Sequence, residues 1–345
     1  MLGIHGGDIY RNRVKMDFSV NCNPLGRPSE VDKALHRAVR LCCKYPDIAA
    51  EKLKMAVGSA FGIREECLVF GNGASELFLG IMHVVRPKKT VIVSPSFYGY
   101  EYVAKAVGSE IIYFPLKKER EFLPGEDLLE VLSEVEEGDI FFFANPNNPT
   151  GRQSERGYLR ELIERCKEKG IWMVLDECFI EFCERDESML SEIENYGNLL
   201  LVRAFTKIYE IPGVRLGYLV CSNLGFLEKI KRQLPEWNVS TFAQEAGIVC
   251  AGQSEFVAKT VDFIKEERGF LSDALKRLGL HVFSSEANFL LVFSEKPLYQ
   301  FLLKQGILIR DCRNFRGLSE GYYRVAVRTR EENRMLLKAI GEWIG

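Results

Sequence analysis

Histidine is scarce in this chain. The four present, His5, His36, His83 and His281, are scattered without ligand spacing, and the ten cysteines include no C-x-x-C pair. The usual zinc patterns are therefore missing, and no metal is expected. The start, Met1-Leu2-Gly3-Ile4-His5, lacks the basic opening and apolar stretch of a secretory signal. No uninterrupted apolar run reaches the roughly 18 residues of a membrane-spanning helix. Without an export signal, the cysteines read as reduced thiols rather than a disulfide framework, and the cytoplasm is the expected compartment. Neither sign of charge dominates. Lys and Arg total 46 against 48 for Asp and Glu, a net charge of -2. No global basic field invites nucleic acid or an anionic membrane, and neither is an expected partner.

What is present is an alternation of short apolar runs and longer amphipathic ones, the pattern of a parallel sheet wrapped by helices. Ile140 to Phe143 is short, aromatic and apolar, as a buried strand should be. A turn rich in Asn, Pro and Gly follows. Leu159, Leu162, Ile163 and Cys166 then recur at helical spacing, Gly170 closes that helix, and Ile171 to Leu175 forms the next strand. Further strands are expected at 68–70, 90–93, 199–202 and 218–220. Towards the C-terminus the rhythm changes. Segments 289–293, 307–309 and 322–327 read as strands of a smaller sheet, 255–278 as a long joining helix, and 331–343 as a closing helix. At 345 residues the chain exceeds one core. The expected division is an extended arm over 1–30, a large domain over 31–250 and a small one over 251–345.

In an open α/β sheet, ligands bind beyond the carboxyl ends of the strands. The residues that follow each expected strand form an informative set. Gly71-Asn72-Gly73-Ala74-Ser75-Glu76 is a glycine turn opening a helix. Ser94-Pro95-Ser96-Phe97 brings an aromatic ring. Asn145-Pro146-Asn147-Asn148-Pro149-Thr150-Gly151 brings an amide, Asp176 and Glu177 bring carboxylates, and Thr206 and Lys207 a hydroxyl and an amine. Pyridoxal 5′-phosphate (PLP) requires such a set. Its phosphate needs backbone N–H groups at a helix start, as Gly73, Ala74 and Ser75 would offer. Its aldehyde needs a lysine amine, and its ring nitrogen a carboxylate that keeps it protonated. Singly, each piece has an ordinary explanation. A lysine is usually a solvated surface residue, the Asn-Pro-Gly stretch a turn, the acidic pair a strand end. Coincidence explains their joint arrival on one edge poorly.

The most specific stretch, R-A-F-T-K-I-Y-E-I-P-G-V-R-L-G-Y over 203–218, resembles the aminotransferase class I/II group of fold-type I PLP enzymes, and the likeness extends over nearly the whole chain. It implies an α/β fold, with a large domain built on a mostly parallel sheet flanked by helices and a smaller α+β C-terminal domain. It implies that Lys207 carries PLP and that Arg215, eight positions later, binds the phosphate. Asn148 would lie near the ring hydroxyl, Asp176 at the pyridinium nitrogen and Phe97 on the ring face. Tyr45, in K-Y-P-D, would reach the phosphate of a neighbouring subunit, which implies a homodimer with shared active sites.

Within this group the wording is similar to the threonine-phosphate decarboxylases of cobalamin biosynthesis. H-G-G-D at 5–8, D-F-S-V-N-C-N-P-L-G at 17–26 and R-V-A-V-R-T at 324–329 follow their pattern, and Phe179 stands where the histidinol-phosphate aminotransferases have Tyr. Decarboxylation of O-phosphothreonine to 1-aminopropan-2-ol O-phosphate is the expected activity. Histidinol-phosphate aminotransferase is the alternative, and a non-catalytic PLP-binding regulator a further one, although such a regulator usually appends a second functional domain. The substrate is thus expected to be a small phosphorylated amino acid or amine. Arginines on a sheet are most often surface residues, but the resemblance assigns Arg310 and Arg324 to the substrate's phosphate and carboxylate, with Arg324 on the carboxylate. The planar guanidinium fork suits both groups, and losing either arginine should cost about 2–4 kcal/mol of binding. His5 and Asn23 are the remaining candidate substrate contacts.

Overall fold

The computed structural model describes residues 6–133 and 135–344. Its strands in chain order are β1 (Met16–Asp17), β2 (Leu68–Gly71), β3 (Lys89–Ser94), β4 (Glu110–Pro115), β5 (Ile140–Ala144), β6 (Trp172–Asp176), β7 (Leu199–Ala204), β8 (Gly217–Val220), β9 (His281–Val282), β10 (Phe289–Phe293), β11 (Ile307–Leu308), β12 (Arg310–Asp311) and β13 (Tyr322–Ala326). Seven of them make the central sheet, in the order β2-β8-β7-β6-β5-β3-β4. Only β8 runs against the others. The chain is thus an α/β protein with a mostly parallel sheet flanked by helices.

Both faces of this sheet are covered, which is why its strands read as continuous apolar runs rather than alternating ones. Leu68, Val91, Phe141, Met173 and Leu199 point to one face, where they join Leu53, Leu159, Ile163 and Ala246 of the helices Glu51–Phe61, Arg156–Glu168 and Thr241–Ala251. Their immediate neighbours Val69, Ile92, Phe142, Val174 and Leu200 point to the other, against Leu77, Ile81, Val103 and Ile230 of the helices Ala74–Val85, Tyr98–Ala106 and Leu224–Lys231. The helix Arg156–Glu168 buries the four expected residues Leu159, Leu162, Ile163 and Cys166, and Gly170 follows it at φ +66°. At that left-handed angle glycine carries no Cβ penalty, so the chain can turn directly into β6.

The second sheet is antiparallel, in the order β12-β13-β10-β9. It packs its Leu290, Val292, Tyr323 and Val325 against Leu271 and Leu275 of the helix Ser254–Arg277 and Leu336 and Ile340 of the helix Arg330–Ile344. One expectation needs correction here. Segment 307–309 does not join this sheet as expected: β11 pairs in parallel with β1 of the N-terminal arm, and only from Arg310 does the chain enter the sheet as β12. The arm is bound further by Phe18, whose N–H donates to the Leu308 carbonyl (2.7 Å) and whose carbonyl accepts from Ala326 N–H (2.9 Å). No described helix is long and apolar enough to cross a membrane, and all ten cysteines are free.

Candidate active site

Because β2, β3, β5, β6 and β7 run the same way, the segments following them meet on one edge, as open α/β sheets dictate. There they wall a cavity of about 280 Å³. Its lining includes Ala74, Ser75, Phe97, Asn148, Asp176, Thr206, Lys207, Arg215, Arg310 and Arg324, so most of the residues singled out from the sequence converge on it.

Asp176 is buried at the end of β6. One carboxylate oxygen accepts from the Tyr100 hydroxyl at 2.5 Å and the other from the Cys178 backbone N–H at 2.9 Å. Burial pushes its pKa up, and the bonds from Cys178 and Tyr100 oppose the rise. Neither partner is a cation, so a charged ring N–H is what this carboxylate lacks. Lys207 lines the same cavity. Burial above all, then the Arg324 and Arg215 guanidinium groups, lower the pKa of its amine, outweighing the opposing pull of the Cys22 and Cys178 thiols. A lowered pKa leaves more of the amine neutral, the form that attacks an aldehyde.

The phosphate end is assembled by close backbone approach. Gly73, at φ +78°, precedes the helix Ala74–Val85, and a Cβ there would lie 2.4 Å from an Arg215 guanidinium nitrogen. Arg215 itself has φ +62°, in the β7–β8 hairpin loop. A Cβ on Gly217, the first residue of β8, would meet Ala74 N at 2.7 Å and Gly73 C at 2.9 Å. Helix start and hairpin are therefore in direct backbone contact, and a helix N-terminus beside a guanidinium is an anion cradle. Amine, buried carboxylate and cradle together fit PLP, and Phe97 and Asn148 line the same cavity.

Arg310 and Arg324 face each other across the β12–β13 register. Arg324 is buried and donates from Nη2 to the Ser19 carbonyl at 2.7 Å and from Nη1 to Asn148 Oδ1. With its amide turned to satisfy both groups, Asn21 accepts from the same guanidinium at 3.2 and 3.3 Å. All these acceptors are neutral, and burial draws the Arg324 pKa down to about 10. Arg310 donates to Asn314 Oδ1 at 2.8 Å and lies over the Phe315 ring, its pKa also lowered by burial. Two adjacent guanidinium groups lining the cavity make a site for anionic substrate groups.

Three sequence candidates fall elsewhere. Asn23 does not line the cavity. Its Nδ2 donates to the Ile208 carbonyl and to Thr260 Oγ1, both at 2.8 Å, its Oδ1 accepts from Leu25 N–H, and its own N–H donates to the Lys207 carbonyl. It ties the arm to the lysine loop, and Ser19 and Asn21 reach the cavity in its place. Tyr45 is 81% exposed, its ring against Trp237, and takes no part in the cavity of its own chain. His5 lies outside the described residues. Sequence reasoning also passed over Tyr100, one helical turn beyond Phe97, and Arg316, in the loop after β12. Among the described residues no cluster of His, Cys, Asp and Glu could hold a metal ion.

A family model described as aminotransferase class I and II matches residues 13–340. The threonine-phosphate decarboxylase of Salmonella typhimurium is 34% identical, over 97% of this chain and 95% of its own. Histidinol-phosphate aminotransferase 2 of Archaeoglobus fulgidus is 33% identical, over 96% of this chain and 94% of its own. The solved histidinol-phosphate aminotransferase of Clostridium acetobutylicum superposes with a TM-score of 0.89 at 31% identity, covering 95% of this chain and 99% of that one.

Proposed function

Because the chain belongs to the aminotransferase class I and II family, whose cofactor is PLP, we propose that it decarboxylates O-phosphothreonine to 1-aminopropan-2-ol O-phosphate. The observation that carries this reading is the pair Arg310 and Arg324, placed side by side at one end of the cavity that holds Lys207. A substrate with a carboxylate and a phosphate on neighbouring carbons would answer both. The likeness to a threonine-phosphate decarboxylase over both full lengths supports the same choice. So does Phe179, which lines the cavity without offering a ring hydroxyl.

When bound, PLP supplies an electron sink for the pair left at the substrate's α-carbon. Asp176 would hold the ring nitrogen, Gly73, Ala74, Ser75, Thr206 and Arg215 the phosphate, Asn148 the ring hydroxyl and Phe97 the ring face. Lys207 would hold the aldehyde, and its amine would be the group that gives the α-carbon a proton once carbon dioxide has left. Arg324 binds the departing carboxylate, and the direction in which it turns that group decides whether carbon dioxide or a proton is lost. Arg310 grips the phosphate. Tyr45, exposed near Ile48 and Trp237, suits a homodimer in which each subunit completes the other's site.

The fold likeness to a histidinol-phosphate aminotransferase supports a second reading, transamination of histidinol phosphate. Holoenzyme incubated with O-phosphothreonine separates the two. Carbon dioxide release that needs no 2-oxoglutarate is the expected result. Absence of release, together with 2-oxoglutarate formed from glutamate and imidazole acetol phosphate, would replace the decarboxylase by the aminotransferase.

A further inference from the structure

The cavity contains one more cation than that reading employs. Arg316 lines it alongside Arg215, Arg310 and Arg324. Its position is set by its neighbours in the loop after β12. Phe315 is buried beneath the Arg310 guanidinium, 5.1 Å from ring centroid to guanidinium carbon. Gly317, at φ +87°, lies beside Ser94 and Pro95, where a Cβ would make ordinary van der Waals contact with their backbone at 3.7 Å. Arg316, between these two residues in the chain, is exposed and lines the cavity. Its guanidinium rests 3.9 Å from the Tyr113 ring centroid, and among the described residues no ion pair joins it to a carboxylate. Glu101, an acid that feels the Arg316 charge, is already paired with Lys105. Burial works against its ionisation, but Lys105, the Tyr113 hydroxyl and Arg316 together keep its pKa below the ordinary value. A guanidinium resting on a half-buried aromatic ring at the surface is weakly held compared with one beside a charged partner, and can leave for such a partner.

Charge matching says what that partner is. Asp176 is reserved for the ring nitrogen and Arg215 with the helix start for the cofactor phosphate. Arg324 alone balances a substrate carboxylate. A phosphate monoester carries nearly two negative charges at neutral pH, and Arg310 meets only one of them. We propose that Arg316 leaves the Tyr113 ring to share the substrate's phosphate with Arg310, so that the site selects phosphate esters over monoanionic analogues. The assignment rests on the reading that the substrate is phosphorylated, whichever reaction follows.

Kinetics of holoenzyme variants on O-phosphothreonine test it, with calorimetric titration of inorganic phosphate into the same holoenzymes. Arg316→Gln should raise KM, and weaken phosphate binding, about 10-fold with kcat little changed, the loss expected for one charge-assisted contact. Arg316→Lys should recover part of both. Arg313→Gln is the control, because Arg313 bonds Asp311 and does not line the cavity; it should change neither. If Arg316→Gln leaves KM and phosphate affinity as they are, or if Arg313→Gln shifts them equally, Arg316 is only a surface charge. Should no phosphorylated amine be turned over at all, the proposed function fails, and the phosphate titration still decides the role of Arg316.

Discussion

Lys207 illustrates how burial prepares a residue for chemistry, and Glu181 shows the same force acting on an acid. Glu181 is half-buried in the short helical turn Ile180–Phe182. Burial pushes its pKa up to about 7, against the pull of Arg203 and with a push from Glu177. Between its ordinary value of 4.5 and about 7, the folded chain keeps a proton that the unfolded chain has released. Stability from this group is therefore full below that window and is lost as pH rises through it. The loss is at most about 3 kcal/mol, since each pKa unit corresponds to about 1.4 kcal/mol. Chemical unfolding of wild type and Glu181→Gln from pH 5 to 8 should show the wild type losing stability relative to the variant. Parallel curves would refute it. At this scale the sequence was most legible where chemistry and motif coincide, as at Lys207, Asp176 and Arg215. Tyr100 escaped because its contact with Asp176 joins residues 76 apart with no local signature. Asn23 stands off the cavity, which the sequence does not show for a related reason: composition cannot tell a buried amide that spans two loops from one that faces a ligand.

Among elements, the junction between the helix Ala74–Val85 and the β7–β8 hairpin bears most on function. Its two glycines face different neighbours, so they should respond differently to a methyl group. A Cβ at position 73 meets the far end of a flexible arginine, whereas one at 217 meets backbone at 2.7 and 2.9 Å. Gly73→Ala should fold and lose cofactor affinity, because Arg215 is displaced and φ +78° disfavours a side chain. Gly217→Ala should lower stability itself by about 1–3 kcal/mol, the usual cost of overpacking. Absorbance titration with PLP and unfolding curves of both variants measure the two effects, and equal losses of stability would contradict the distinction. The central strands were readable as apolar runs bounded by turns. β4 was not, because this edge strand, Glu110–Pro115, is only partly covered and its pattern is mixed. β1 and β12, two residues each, carry no periodicity at all.

At the scale of the molecule, the arm links parts that the sequence lists far apart. β1 pairs with β11, Ser19 and Asn21 hold Arg324, Asn288 donates to the Asn21 carbonyl at 2.9 Å, and Asn23 grips the segment that follows Lys207. Asn23→Ala removes buried hydrogen bonds to Ile208 and Thr260 and should cost about 1–3 kcal/mol of stability. It should also raise KM, because Arg324 depends on the residues just before it. Unfolding curves and steady-state kinetics check both, and a variant with unchanged KM would confine the arm to a purely mechanical role. The seven-stranded sheet and its ligand-bearing edge follow from the order of apolar runs, but this strapping does not, since β1–β11 pairing joins segments about 290 residues apart.

The reversed strand β8 has one more effect. Ala204 and Gly217 are register partners, so the twelve residues between them form a closed span that begins beside Lys207 and ends beside Arg215. Such a span works as a calliper. Its jaws are set by the sheet, and a vitamer is retained only if its aldehyde and its tail reach both at once. Pyridoxal without the phosphate would touch one jaw and slip from the other.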